Sequence, residues 1–137
     1  MIIVSACLAG VGCRYDGAAK PCEAVIRLVA EGQAVPLCPE QLGGLPTPRA
    51  PAEITGSQVI RKDGVELTEE FIRGAREALK IARLVGAKTA ILKARSPSCG
   101  SGKIYDGSFS GRLVDGDGLF AELCKQEGIE VKNEEEI

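Results

Sequence analysis

Six cysteines and no histidine define the chemistry open to this chain of 137 residues. Cys7 directly follows the apolar run Ile2-Ile3-Val4-Ser5-Ala6, and Cys38 directly follows Ala34-Val35-Pro36-Leu37. Cys99 sits in Ser96-Pro97-Ser98-Cys99-Gly100, the tight loop after Thr89-Ala90-Ile91-Leu92 and Lys93-Ala94-Arg95. Short β-rich runs that break into Gly, Pro and Ser read as buried strands ending in loops. Each of the three thiols is therefore expected just past the carboxyl end of a strand. In an open parallel sheet those ends lie along one edge, and ligands bind in the crevice outside it. Three thiols from distant parts of the sequence can meet there.

Without imidazole, thiolates suit an iron–sulfur cluster or a Cys-only zinc site. Three thiolates on a four-iron cluster leave one iron open to substrate, as a catalytic zinc keeps a free position that a structural zinc lacks. No Cys-x-x-Cys occurs, so zinc ribbons, thioredoxin-like redox sites and the usual ferredoxin run are missing. Cys13 stands between fourth ligand and bystander. Cys22, in a first helical turn, reads as incidental, and Cys124, beside Leu119, Phe120 and Leu123, as a small buried hydrophobe. The absence of histidine also excludes His-dependent triads and His acid–base catalysis, leaving carboxylates, thiolates, hydroxyls and amines. Gly100-Ser101-Gly102-Lys103 resembles the tail of a phosphate loop, but Ile104 follows the lysine and position 97 is proline, so the triphosphate motif is incomplete.

The length is that of one ordinary domain, here taken as residues 1–137. With 17 basic against 19 acidic residues, the chain lacks the basic excess of a duplex-binding module. Aromatics make up only 4% of it, too few for a single-strand stacking platform. A nucleic acid polymer is therefore not an expected partner. No apolar run is long enough to cross a bilayer, and the amino terminus lacks a signal-peptide pattern, so a cytoplasmic monomer without membrane contact is expected. In that reducing compartment, cysteines point to metal, cluster or catalysis rather than disulfides.

The elements that must position these residues alternate between strand and helix. A strand over 2–6 leads into a Gly-rich loop, and Pro21 opens a helix to about Ala30. The strand ending at Cys38 gives way to Pro39 through Arg49, too rich in Pro and Gly for regular structure. A hairpin over 59–66 turns at Asp63-Gly64. Thr68 caps a helix whose stripe of Phe71, Ala75, Ala78, Leu79, Ala82 and Val85 stops at Gly86. An irregular connection over 100–118, a helix over about 119–126, a short strand at 129–131 and a solvated Glu134-Glu135-Glu136 tail complete the chain. This alternation predicts a parallel α/β sheet with right-handed crossovers.

Five motifs in order carry a family resemblance: Ser5-Ala6-Cys7-Leu8, Arg14-Tyr15-Asp16-Gly17, Cys38-Pro39-Glu40, Gly44-Leu45-Pro46-Thr47-Pro48-Arg49 and Ser96-Pro97-Ser98-Cys99-Gly100. Together they resemble the thiouracil desulfidase family from Val4 to Gly118. The resemblance implies a Rossmann-like open parallel sheet with flanking helices and a [4Fe-4S] cluster on three cysteines, whose fourth iron captures the sulfur of a thiolated pyrimidine. By motif, Cys7, Cys38 and Cys99 would be the ligands, with Glu40 and Ser96 the catalytic pair. Cys13 lies where the family does not require cysteine. Arg14, Asp16 and Arg49 are candidate substrate-binding residues, the arginines because guanidinium can pair with the polar edge of a pyrimidine, and Asp16 is also the reserve proton acceptor. Two other functions remain open: an electron-transfer or cluster-carrier protein with every iron ligated, and a non-catalytic Cys-zinc or ligand-binding module.

Overall fold

The computed structural model describes residues 1–137. Four parallel strands form the main sheet: β1 (Ile2–Ser5), β2 (Ala34–Leu37), β5 (Thr89–Leu92) and β8 (Glu130–Asn133), in the order β2-β1-β5-β8. Two antiparallel hairpins stand apart from it, β3 (Ala52–Thr55) with β4 (Gln58–Arg61), and β6 (Lys103–Tyr105) with β7 (Leu113–Asp115). The helices are α1 (Glu23–Ala30), the one-turn α2 (Pro39–Leu42), α3 (Thr68–Leu84) and α4 (Leu119–Gln126), and a 3₁₀ turn, Ala6–Ala9, follows β1 directly. No helix is long and apolar enough to cross a membrane.

The central strands are apolar on both faces, and this makes two cores. Ile3, Ala90 and Leu92 point to one side and meet Ala75, Ala78 and Ala82 of α3 and Phe120, Ala121 and Cys124 of α4. Val4, Ala34 and Ile91 point to the other and meet Val25 of α1 with Leu8 and Cys13. Covered faces explain why these strands read as continuous apolar runs rather than alternating ones. Phe71 and Phe120 are almost wholly buried, and burying such a side chain stabilises the fold by about 1.5–3 kcal/mol.

The chain runs from β1 outward to β2, then returns to the opposite side of β1 to lay down β5 and β8. The switch in direction falls between β1 and β5, where an α/β sheet opens a crevice at its carboxyl edge. Past the end of the ladder, Ser5 Oγ accepts a hydrogen bond from Lys93 N at 2.9 Å and ties the two strand ends together.

Several local expectations are corrected. Pro39–Arg49 does contain regular structure, because proline at the first helical position leaves no donor unsatisfied and permits the single turn of α2. That turn lies hard against α3. A Cβ on Gly74 would stand 1.8 Å from Pro39 O, and one on Gly43 would stand 2.1 Å from Glu70 O. The main partner of β4 is β3; the Asp63-Gly64 turn forms, closed by Arg61 N to Val65 O at 2.7 Å, but carries only an isolated bridge from Ile60 to Glu66. Thr68 opens α3 without capping it, since its Oγ1 accepts from Val59 N at 2.9 Å. The connection over 100–118 folds as the β6–β7 hairpin. The acidic tail is not wholly solvated: Glu134 accepts from Ala94 N at 2.8 Å and pairs with Lys93 Nζ at 2.8 Å.

Candidate active site at the carboxyl edge of the sheet

The 3₁₀ turn after β1, the start of α2 after β2 and the loop after β5 surround a cavity of about 340 Å³. That is the scale of a small-molecule site. Cys7, Cys13, Cys38 and Cys99 all line it, together with Glu40, Arg49 and Ser96. Cys7, Cys13 and Cys99 are buried and Cys38 half-buried, all as free thiols. Cys22 and Cys124 lie elsewhere, Cys124 completely buried on the core face of α4.

The thiols are interlinked. The Cys38 thiol donates toward Cys13 O at 3.9 Å, and Cys13 lines the same cavity as Cys7 and Cys38. The Cys38 thiol draws Cys13 down, but the Cys7 thiol and burial outweigh it and leave Cys13 at about 11. Cys38 is pushed up by its bond to Cys13 and by burial, and Cys99 is pushed up by burial against the partial relief of a Ser5 hydrogen bond. Burial in a low-dielectric site disfavours the thiolate, and the Arg49 guanidinium offsets this only in part at Cys13. A bound metal centre would deprotonate a coordinating thiol outright.

No three Cys, Asp or Glu side chains converge on a point suited to one ion. Cys7, Cys38 and Cys99, past three strand ends, and Cys13, from a loop, instead line one cavity. An all-sulfur donor set of this kind fits an iron–sulfur cluster better than a mononuclear zinc site.

Glu40, in the first turn of α2, has only 15% of its side chain exposed. Arg49 Nε donates to Glu40 Oε1 at 3.0 Å, and Ser98 Oγ donates to Oε2 at 3.3 Å. Ser96 Oγ accepts from Ser98 N at 3.1 Å and Cys99 N at 2.9 Å. That leaves the Ser96 hydroxyl hydrogen for a partner in the cavity. The same bonds shape the turn that carries Cys99, so Ser96 has a structural task whatever else it does. Immediately before this turn Arg95 holds a left-handed backbone, φ 69°, an uncommon state for a residue with a side chain.

Of the candidate substrate-binding residues, Arg14 lines the cavity with its guanidinium 5.7 Å from the centre of the Tyr15 ring. Arg49 lines it too. Asp16 does not; its carboxylate accepts from Ala18 N at 2.9 Å and closes its own exposed turn. Sequence pattern does not point to several other contributors, Tyr15, Lys20 and Arg95 of the cavity wall among them. Lys93 and Tyr105 line the cavity, and Ser98, almost fully buried, touches Glu40 from behind. Lys93 had a signal, since it stands directly after a strand. Tyr105 had none, because its hairpin was not expected.

A family model described as 2-thiouracil desulfurase matches residues 2–136. A Bacillus subtilis (strain 168) protein described as the uncharacterized protein YbbK is 44% identical over 147 residues, covering 100% of this chain and 97% of the relative. A solved structure described as the [4Fe-4S]-dependent thiouracil desulfidase TudS superposes with a TM-score of 0.95 at 47% identity, covering 99% of this chain and 91% of that one. The single-domain parallel α/β architecture is thus shared with a solved relative along nearly the entire chain.

Proposed function

The chain belongs to the 2-thiouracil desulfurase family, and from that premise we propose that it is a [4Fe-4S]-dependent desulfidase acting on a thiolated pyrimidine such as thiouracil. The observation that carries this reading is the convergence of Cys7, Cys38 and Cys99 on one cavity that also holds a nearly buried carboxylate. We read the protein as a cytoplasmic monomer, since a reducing compartment suits a chain with six cysteines and no disulfide framework.

Cys7, Cys38 and Cys99 would hold the cluster. When bound with one iron free of protein ligands, it supplies a soft Lewis acid for the sulfur of the substrate. The remaining work is hydrolytic: water adds at the thiocarbonyl carbon and the carbon–sulfur bond breaks, giving the oxo compound and hydrosulfide without net electron transfer. Glu40 accepts the proton that water loses. Arg49 and Ser98 leave lone-pair capacity on the carboxylate for that water. The Ser96 hydroxyl donates to the water and orients it, and Arg14 faces the polar edge of the base.

Anaerobic reconstitution tests the reading. Iron and sulfide should each count near four per chain, and turnover should release hydrosulfide with no reductant present. Cys7→Ser, Cys38→Ser and Cys99→Ser should each lose the cluster, whereas Cys13→Ala, Cys22→Ala and Cys124→Ala should keep it. A requirement for stoichiometric reductant would exclude the hydrolytic scheme. A second reading, a fully ligated electron-transfer or carrier cluster, draws on the place of Cys13 in the same cavity as Cys7, Cys38 and Cys99. Loss of the cluster in Cys13→Ala would favour it. Zinc in place of iron would favour a non-catalytic metal module.

A further inference from the structure

We infer that Arg49 and Ser98 are positioning residues that clamp Glu40 from two sides, and that Arg49 does not contact the substrate. This rests on the reading of Glu40 as the proton acceptor. Sequence pattern alone leaves Arg49 equally suited to a substrate's polar edge. The geometry separates these roles.

All three nitrogens of the Arg49 guanidinium are engaged by protein. Nε and Nη2 each lie 3.0 Å from Glu40 Oε1. Nη1 donates to Pro46 O at 3.1 Å and Thr47 Oγ1 at 3.0 Å, and Nη2 donates to Cys13 O at 2.8 Å. The side chain is only 6% exposed, and its backbone N donates to Tyr15 O at 2.7 Å. A guanidinium is a rigid planar fork, so occupying every nitrogen fixes its plane. It joins three separate segments: the Cys13–Tyr15 loop, α2, and the 46–49 loop. Arg14, by contrast, lines the same cavity without an ion pair and retains the freedom a substrate contact needs.

Ser98 completes the clamp from the opposite side. Its hydroxyl reaches Oε2, while its backbone N is bound by Ser96 Oγ and its carbonyl accepts from Phe120 N and Ala121 N at the start of α4. A Cβ on Gly118 would stand 2.6 Å from that carbonyl oxygen, so α4 packs directly on the Ser98 backbone. The two oxygens of Glu40 are thus anchored to opposite halves of the molecule. A base that must meet water at a fixed distance from the reacting carbon depends on such anchoring, because displacement by about 1 Å can cost about 10²-fold in rate.

Steady-state kinetics of the anaerobically reconstituted enzyme with 2-thiouracil test the clamp, with iron content and absorption spectrum recorded for every variant. Arg49→Lys and Arg49→Met should keep the cluster and lower kcat about 10- to 100-fold with KM nearly unchanged. Lysine should not rescue, since an ammonium replaces neither the fork nor the bonds to Pro46 O and Cys13 O together. Ser98→Ala, a milder change that preserves packing, should lower kcat about 3- to 10-fold in the same pattern. In a Glu40→Gln background, either change should cost little more, because groups acting through one residue are non-additive. A rise in KM with kcat preserved, or losses that multiply with Glu40→Gln, would overturn the inference and make Arg49 a substrate contact. An unimpaired Glu40→Gln enzyme with an intact cluster would instead sink the functional reading on which the clamp rests.

Discussion

Two arginine–glutamate pairs show how one chemistry acquires two meanings from where it is placed. Arg83 on α3 grips Glu127 just past α4 through two nitrogens, one at 2.9 Å, with 59% and 34% of the side chains exposed. Each lowers or raises the titration of the other, Glu127 being held down by the guanidinium bond. Arg49 and Glu40 form a similar pair at the cavity, with 6% and 15% exposed. The outer pair is screened by water and salt, and exposed pairs of this kind contribute little to stability. The inner pair shares its arginine with two carbonyls and a hydroxyl, and removing one partner leaves a largely buried charge without its counter-charge. Burial and the surrounding acceptors, rather than ion-pair length, distinguish the functional corner from the structural seam.

The largest effect should come from the inner carboxylate. Glu40→Gln is expected to lower turnover by about 10²–10⁴-fold while leaving iron content and the cluster spectrum unchanged. Glu127→Gln, the same substitution at the outer pair, should leave turnover at the parental level; equal losses at both would erase the contrast. Ser96→Ala should slow turnover by less than Glu40→Gln, and because Ser96 also caps the Cys99 turn, its cluster should be lost faster on exposure to air.

Next comes the backing of α2. Gly74→Ala places a methyl into Pro39 O, and overpacking of this kind costs about 1–3 kcal/mol. Chemical denaturation should show that loss, with a lower kcat because the Cys38–Glu40 turn is displaced. Retained stability and activity would mean that α2 has slack the close contact does not suggest.

Glu134 offers an intermediate case between the two pairs. Burial pushes its carboxyl up, but bonds from Lys93 Nζ and Ala94 N outweigh that and hold it below the usual range. A depressed folded value contributes stability that is present above the unfolded value of ~4.3 and lost as pH falls through the folded one. Glu134→Gln should therefore cost about 1 kcal/mol at pH 7, and the difference from the parent should shrink toward zero in acid. The smallest effect belongs to Arg83→Met, whose melting temperature and kinetics should match the parent.

What the sequence by itself determined is the periodic part of the molecule. Apolar runs placed Ile3, Val4, Ala90 and Leu92 in the sheet, the helical stripe from Phe71 to Ala82 in a core, and Cys7, Cys38 and Cys99 past strand ends, because burial on two faces leaves a local signature. Only the tertiary structure decided which polar atoms meet. Glu40 and Ser98 are separated by 58 positions and Arg49 lies 36 from Cys13, and no local preference encodes such pairings. The close approach of α2 to α3 was equally hidden, since Gly74 inside a helix reads as a propensity cost of about 1 kcal/mol until Pro39 O is seen against it. The tail misled for the same reason. Three consecutive glutamates favour solvent, and Glu134 turns inward only because Lys93 and the unpaired Ala94 N–H wait at the end of β5.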